Sequence, residues 1–139
     1  MDFLLRRVAQ EYGWNYKAPG QGAFSQLMLI AKMKGVPAAL ERYTALKKSQ
    51  SAEHQIEEGT LNGLGYTLLS SGQTQDAIAV LERNVHEYPK SANAYDSLGE
   101  AYTKANQKDL AIRNYEKSLQ LDPKNQNAVD QLKRLKETK

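Results

Sequence analysis

No cysteine occurs in the 139 residues. Disulfides, thiolate metal ligands and a cysteine nucleophile are therefore excluded. Long apolar runs are also missing: the longest, Leu27 to Ala31, is far short of the about 20 residues a membrane-spanning helix needs. The opening stretch MDFLLRRV lacks the charged start, apolar run and small-residue cleavage site of a secretory leader. Histidine is scarce. His54 falls in a polar loop and His86 on a charged helix, and neither has the His/Glu partner at i, i+4 that a zinc site uses. Gly-x-Ser-x-Gly and Ser-x-x-Lys do not occur, which removes two serine-nucleophile signatures. Gly63-Leu64-Gly65 is a lone Gly-x-Gly inside a helical stretch with no strand before it. Glu57 and Glu58 are adjacent and so point different ways, which gives no acid/base dyad. The chain reads as non-catalytic, with no cofactor and no metal.

Charge of one sign is not concentrated either. The net charge is +3. From Lys104 onward there are nine Lys/Arg against five Asp/Glu, and before it ten against eleven. A basic end can attract nucleic acid or anionic lipid. Here acids interleave with the bases, as in KDLAIRNYEKSL, so the expectation is a solvated helix surface with no nucleic-acid and no membrane partner. Composition leaves the compartment open, as a soluble protein of cytoplasm or periplasm.

What the sequence does contain is a repeat. AYDSLGEAYTKA, residues 94–105, is helical in composition yet carries Gly99 in its middle. An interior glycine costs a helix about 1 kcal/mol relative to alanine. At an offset of 34, Gly65 falls on Gly99, Leu61 on Tyr95, Leu64 on Leu98, Leu68 on Tyr102, Ala77 on Ala111, Ile78 on Ile112, Leu81 on Tyr115 and Pro89 on Pro123. A single ungapped offset across so many positions is an internal repeat, which decides the fold before any local reading. The two glycines then mark the closest approach of paired helices, with the small Ala77 and Ala111 expected to face them.

Between the Pro- and Gly-bearing turns the apolar spacing is helical throughout, with no strand alternation. It predicts helices over 2–12, 23–34, 37–49, 53–71, 74–87, 91–105 and 108–121, and a closing one over 126–137. Ser91 and Asn125 are candidate N-caps. Gly72 and its equivalent Asn106 are candidates for the left-handed residue that ends a helix.

The pattern resembles the tetratricopeptide repeat, a helical hairpin with Leu-Gly and an aromatic in its first helix and an alanine, an aromatic and a late proline in its second. The second copy here supplies Tyr95, Leu98, Gly99, Tyr102, Ala111, Tyr115 and Pro123. The first supplies Leu61, Leu64, Gly65, Leu68, Ala77, Leu81 and Pro89. Asn84 and Ser118 stand where the family has a further alanine. The resemblance implies an all-α fold, a right-handed superhelix of antiparallel helical hairpins with a C-terminal capping helix. The expected division is an N-terminal helix and linker (1–22), a degenerate hairpin (23–52), two repeats (53–91 and 92–125) and the cap (126–139). In the degenerate hairpin Ala39 and Tyr43 keep the alanine-to-aromatic step, but the Leu-Gly pair is absent. In the cap, Ala128, Leu132 and Leu135 share one face. Phe3, Leu4, Val8 and Tyr12 form an apolar stripe followed by Trp14, expected to pack on the first hairpin near Leu29 and Met33, the alternative being the groove at Tyr66 and Leu69.

In this family the first helices line a concave groove. The residues that would face it are Asn62, Tyr66, Leu69, Asn93, Asp96, Glu100 and Thr103. Tyr66 and Leu69, read as two large exposed groups side by side, suggest a protein or peptide partner. Members that clamp a C-terminal carboxylate use Lys, Asn and Arg on this face. No such basic set is present, so chaperone-tail binding is not expected. A narrower resemblance joins LNGLGYTLL and YDSLGEAY, with GVPAALERYTALK before them, to the tetratricopeptide tails behind bacterial serine-hydrolase domains of the beta-lactamase-like and esterase classes. It implies an alternative role as a structural or dimerising appendage of a hydrolase domain in the same parent chain, with EYGWNYKAP as the exit from that domain. The chain itself would be a monomer or a weak homodimer.

Overall fold

Seven helices and no strand occur among the residues described by the computed structural model, 22–49 and 56–137. They are α1 (Ala23–Lys34), α2 (Val36–Ser49), α3 (Glu58–Ser70), α4 (Thr74–Glu87), α5 (Ala92–Lys104), α6 (Lys108–Leu121) and α7 (Gln126–Glu137). The helix expected over 2–12, with its apolar stripe and Trp14, lies outside the described residues. Two compact units divide the chain, residues 1–60 and 61–139.

In the first unit, α1 and α2 pack on each other across a turn made by Gly35 alone, at φ 93°. Leu27, Ala39 and Tyr43 are fully buried there. Gly65 and Gly99 each precede their repeat's alanine by twelve positions, and twelve before Ala39 stands Leu27. This hairpin therefore carries a buried leucine where the other two have glycine. Arg42 Nη2 donates to the buried Gln26 Oε1 at 3.3 Å.

In the second unit the 34-residue register recurs in the backbone. After α3, Gly72 adopts φ 82°, and after α5, Asn106 adopts φ 60°. Each turn closes with the same two bonds. Gln73 N–H reaches Leu68 C=O at 2.9 Å and Gly72 N–H reaches Leu69 C=O at 3.1 Å; Gln107 N–H reaches Tyr102 C=O at 2.9 Å and Asn106 N–H reaches Thr103 C=O at 3.1 Å. This is a paired 6→1 and 5→2 helix stop, which needs one left-handed residue. Helix starts follow the register too. Ser91 Oγ accepts from Ala94 N–H at 3.0 Å, and Asn125 Oδ1 accepts from Ala128 N–H at 3.3 Å. The equivalent position before α3 is Glu57, whose C=O accepts from Thr60 N–H at 3.0 Å. The helix expected over 53–71 accordingly begins at Glu58, because Ile56 and Glu57 are not helical.

The glycines do mark the closest helix approach, but the opposing groups are not the alanines. A Cβ on Gly65 would lie 2.5 Å from both Cγ and Cδ2 of Leu81. A Cβ on Gly99 would lie 3.1 Å from three ring carbons of Tyr115. The large residue four positions past the alanine fills the space that glycine opens, while Ala77 and Ala111 are fully buried beside it. Leu81 is fully buried and Tyr115 1% exposed, so burial of these side chains, about 1.5–3 kcal/mol each, offsets the helix cost of glycine.

Helix α4 packs on α5, α5 on α6 and α6 on α7. Helix α7 has the register of a third first helix: Val129, Leu132, Lys133 and Lys136 fall on Tyr95, Leu98, Gly99 and Tyr102. Leu132 is buried like Leu98, whereas lysines occupy the glycine and aromatic positions. Lys136 pairs with Glu116 of α6 at 3.1 Å.

Candidate functional site

The first helices α3, α5 and α7 are successive copies of one element, so equivalent positions come to lie beside one another. The structure shows this directly. Tyr66 on α3 donates its hydroxyl to Glu100 Oε2 on α5 at 2.8 Å, and the two residues are separated by one repeat of 34. Asp96, one turn before Glu100 on α5, accepts from Asn127 Nδ2 of α7 at 3.0 Å on each oxygen. Asn125 Nδ2 approaches Asp96 Oδ1 at 3.4 Å. The row thus runs tyrosine, two carboxylates, then amides, across three helices.

Of the seven residues expected to line the groove, Asn62, Tyr66, Asp96, Glu100 and Thr103 are half-buried and Asn93 is exposed. Leu69 is a correction. It is only 4% exposed, and α3 buries Leu61, Leu64, Gly65, Leu68 and Leu69 together. The apolar face of α3 is wide enough to take in Leu69, because a first helix in a repeat array packs on more than one side. Leu69 belongs to the core, and Tyr66 remains as the large residue of the expected groove set. Thr103 turns its hydroxyl to Gly99 C=O at 2.8 Å. Asn93 lends its C=O to Ser97 Oγ at 3.0 Å. Asn62 holds a buried Oδ1 that no described group donates to.

Sequence reasoning missed Asn125 and Asn127 as groove residues. A signal existed for Asn127, since it lies one repeat after Asn93. The spacing marks Tyr115 as core, and its phenol also responds to Asp96 and Glu100. Burial pushes it up to about 12, Thr103 pulls the other way, and the charges of Asp96 and Glu100 add to the rise. The Tyr66 phenol is raised to about 12, first by burial, with Ser97 opposing and Glu100 adding. The Asp96 carboxyl is raised by burial, is opposed by its bonds from Asn127 and Asn125, and is raised further by the Glu100 charge. These shifts describe a partly desolvated acidic surface whose partners are neutral donors. Among the described residues no group of three or more His, Cys, Asp or Glu gathers as metal ligands, and no helix is long and apolar enough to cross a membrane.

Residues 63–91 and 92–125 each match a family model described as tetratricopeptide repeat. No curated protein matches the sequence. Among solved structures, the chain is similar to the second tetratricopeptide domain of human RPAP3, solved in complex with the HSP70 peptide SGPTIEEVD, at 19% identity and TM-score 0.58, covering 84% of this chain and 93% of that one. It is similar to the first such domain of Spaghetti (RPAP3), bound to the HSP90 peptide SRMEEVD, at 18% identity and TM-score 0.57, over 82% of this chain and 87% of that one. It is also similar to residues 41-end of MamA from Desulfovibrio magneticus RS-1, at 24% identity and TM-score 0.56, over 81% of this chain but 62% of that one. These likenesses show the fold, an all-α helical repeat.

Proposed function

We propose that this chain is a non-catalytic protein-interaction module that holds a peptide or a partner domain against the face shared by α3, α5 and α7. The observation that carries the reading is the row formed by Tyr66, Glu100 and Asp96. Three half-buried side chains from two successive first helices converge on one surface. The likeness in fold to domains solved with bound peptides supports a peptide as occupant. The groove residues are Asn62, Tyr66, Asn93, Asp96, Glu100 and Thr103, joined by Asn127. An appendage role behind a bacterial serine-hydrolase domain rests on sequence resemblance alone and is kept as the alternative.

Site-specific photocrosslinking separates the faces. A photoreactive residue at exposed Asn93 or at Thr103 is expected to capture one partner species, whereas the same residue at exposed Arg113 on α6 captures none. Equal capture from both faces, or capture from Arg113 alone, overturns the groove assignment.

A further inference from the structure

We propose that the occupant of this groove is a basic segment, a peptide whose arginine or lysine side chain seats at Asp96 and Glu100 beside Tyr66. The inference rests on the groove reading above and adds the chemistry of the partner.

The first observation is a missing counter-charge. Asp96 and Glu100 lie one helical turn apart on α5, both half-buried. Ion pairs of Arg83 with Glu87 and of Lys136 with Glu116 lie elsewhere. Lys104, one turn beyond Glu100, is exposed and makes no ion pair with it. Every group that reaches the two carboxylates is a neutral donor: the Tyr66 hydroxyl, the Asn127 amide and the Asn125 amide. A buried or half-buried carboxylate is ordinarily paired with a cation or more fully hydrogen-bonded than this.

The second observation is independent of charge. Asn62 is the register equivalent of Asp96, one repeat earlier. Its Oδ1 is buried and receives no hydrogen bond. The same repeat position thus carries an unmet acceptor on α3 and a carboxylate on α5. Ligands that supply donors and no acceptors are ammonium and guanidinium groups, with three and five N–H bonds respectively. An anionic tail would bring more acceptors and more negative charge to a surface already short of donors. The remaining group fits the same ligand: Tyr66 offers a half-buried aromatic ring, on which the stem or the cation of a basic side chain can lie. The chain as a whole is positive, so this acidic row is a local feature and not a consequence of net charge.

The test is an amide-resolved NMR titration of the full chain with three capped glycine–serine peptides, carrying a central pair of arginines, glutamates or leucines. The arginine peptide is expected to shift the resonances of Tyr66, Asp96 and Glu100. Its affinity is expected to fall by about tenfold or more in Asp96→Asn/Glu100→Gln and to weaken with salt, as charge-assisted contacts do. Glu100→Gln alone keeps an acceptor for Tyr66 and guards against loss of fold in the double variant. If the glutamate or leucine peptide shifts these residues more strongly, the basic occupant is wrong while the groove reading stands. If the arginine peptide binds both proteins equally, or shifts none of the three residues, the proposal is likewise overturned. Failure of the groove reading itself would show separately, as capture from Arg113 in the crosslinking experiment.

Discussion

Asn84 is the weakest joint in the second unit, and replacing it should make the protein more stable. The side chain is fully buried on α4, and neither Oδ1 nor Nδ2 has a partner among the described residues. One repeat later, Ser118 occupies the same position and is satisfied. Its hydroxyl donates to Ala92 C=O at 2.8 Å and accepts from Asn125 Nδ2 at 2.8 Å. A buried polar group left without a partner costs about 1–3 kcal/mol. Asn84→Ala removes that cost and gains a few tenths of a kcal/mol in helix propensity. Against this stands the void left behind. If it is about the size of one water, roughly 30 Å³, it costs about 0.7 kcal/mol at about 24 cal/mol per Å³. The balance is a gain of about 0.5–2.5 kcal/mol. Ser118→Ala should go the other way by about 1–2 kcal/mol, since it removes two buried hydrogen bonds. Urea unfolding followed by circular dichroism measures both, with the shift in midpoint read at constant slope. Since most core substitutions destabilise, a less stable Asn84→Ala would refute the orphaned amide. Equal signs at the two positions would refute the contrast between the repeats.

The other glycine–helix contacts, the tyrosines and the cap give further tests. Gly65→Ala should destabilise by about 1–2 kcal/mol net, because Leu81 is buried and cannot yield, whereas Gly99→Ala should be near neutral and Gly99→Leu should cost about 1–3 kcal/mol or more; thermal melts that rank the two alanine variants in the opposite order would contradict the packing described. Tyr66, Tyr102 and Tyr115 are each raised to about 12, first by burial, so the fold favours the neutral phenol, and the stability this contributes is intact below pH about 10 and lost as pH rises toward about 12. Phenolate absorbance should rise in two stages, and Tyr115→Phe should flatten the alkaline loss of stability; a single stage near the ordinary value would count against it. Deleting residues 126–139 removes the Asn127 bonds to Asp96 and uncovers the end of the array, and should lower both solubility and melting temperature; a truncated chain as stable and as soluble as the parent would contradict the capping role of α7.

The features that the sequence made legible are those tied to one residue type at one repeat position. Gly72 and Asn106 could be assigned to helix stops because few residues tolerate positive φ, and both hold it. Gly65 and Gly99 could be assigned to close helix contacts for a similar reason. The identity of the opposing group could not, because Ala77 and Leu81 both lie on the apolar face of α4 and only three-dimensional distance selects Leu81. Leu69 illustrates the limit of face counting. The spacing placed it outside the main stripe, but the buried face of α3 extends to Leu69. The contacts of Asn125 and Asn127 to Asp96 cross from one repeat to the next, and only Asn127, one repeat after Asn93, carried a trace of this in its spacing. The acceptor excess at Asn62 and the orphaned amide of Asn84 are absences, visible only when every neighbour has been placed.

The contacts Gly65–Leu81 and Gly99–Tyr115 link residues at an identical separation, 81 − 65 = 115 − 99 = 16. The two hairpins of the second unit therefore use these positions as one unit. Leucine with glycine closes the first and tyrosine with glycine closes the second, so the filler can change in size and chemistry while the glycine stays. At 65 any larger residue meets Leu81 before it meets solvent, whereas the α1–α2 hairpin holds Leu27 and Tyr43 at the same separation, both fully buried. A library that randomises positions 65 and 81 together should recover folded combinations that are absent when position 65 is randomised alone.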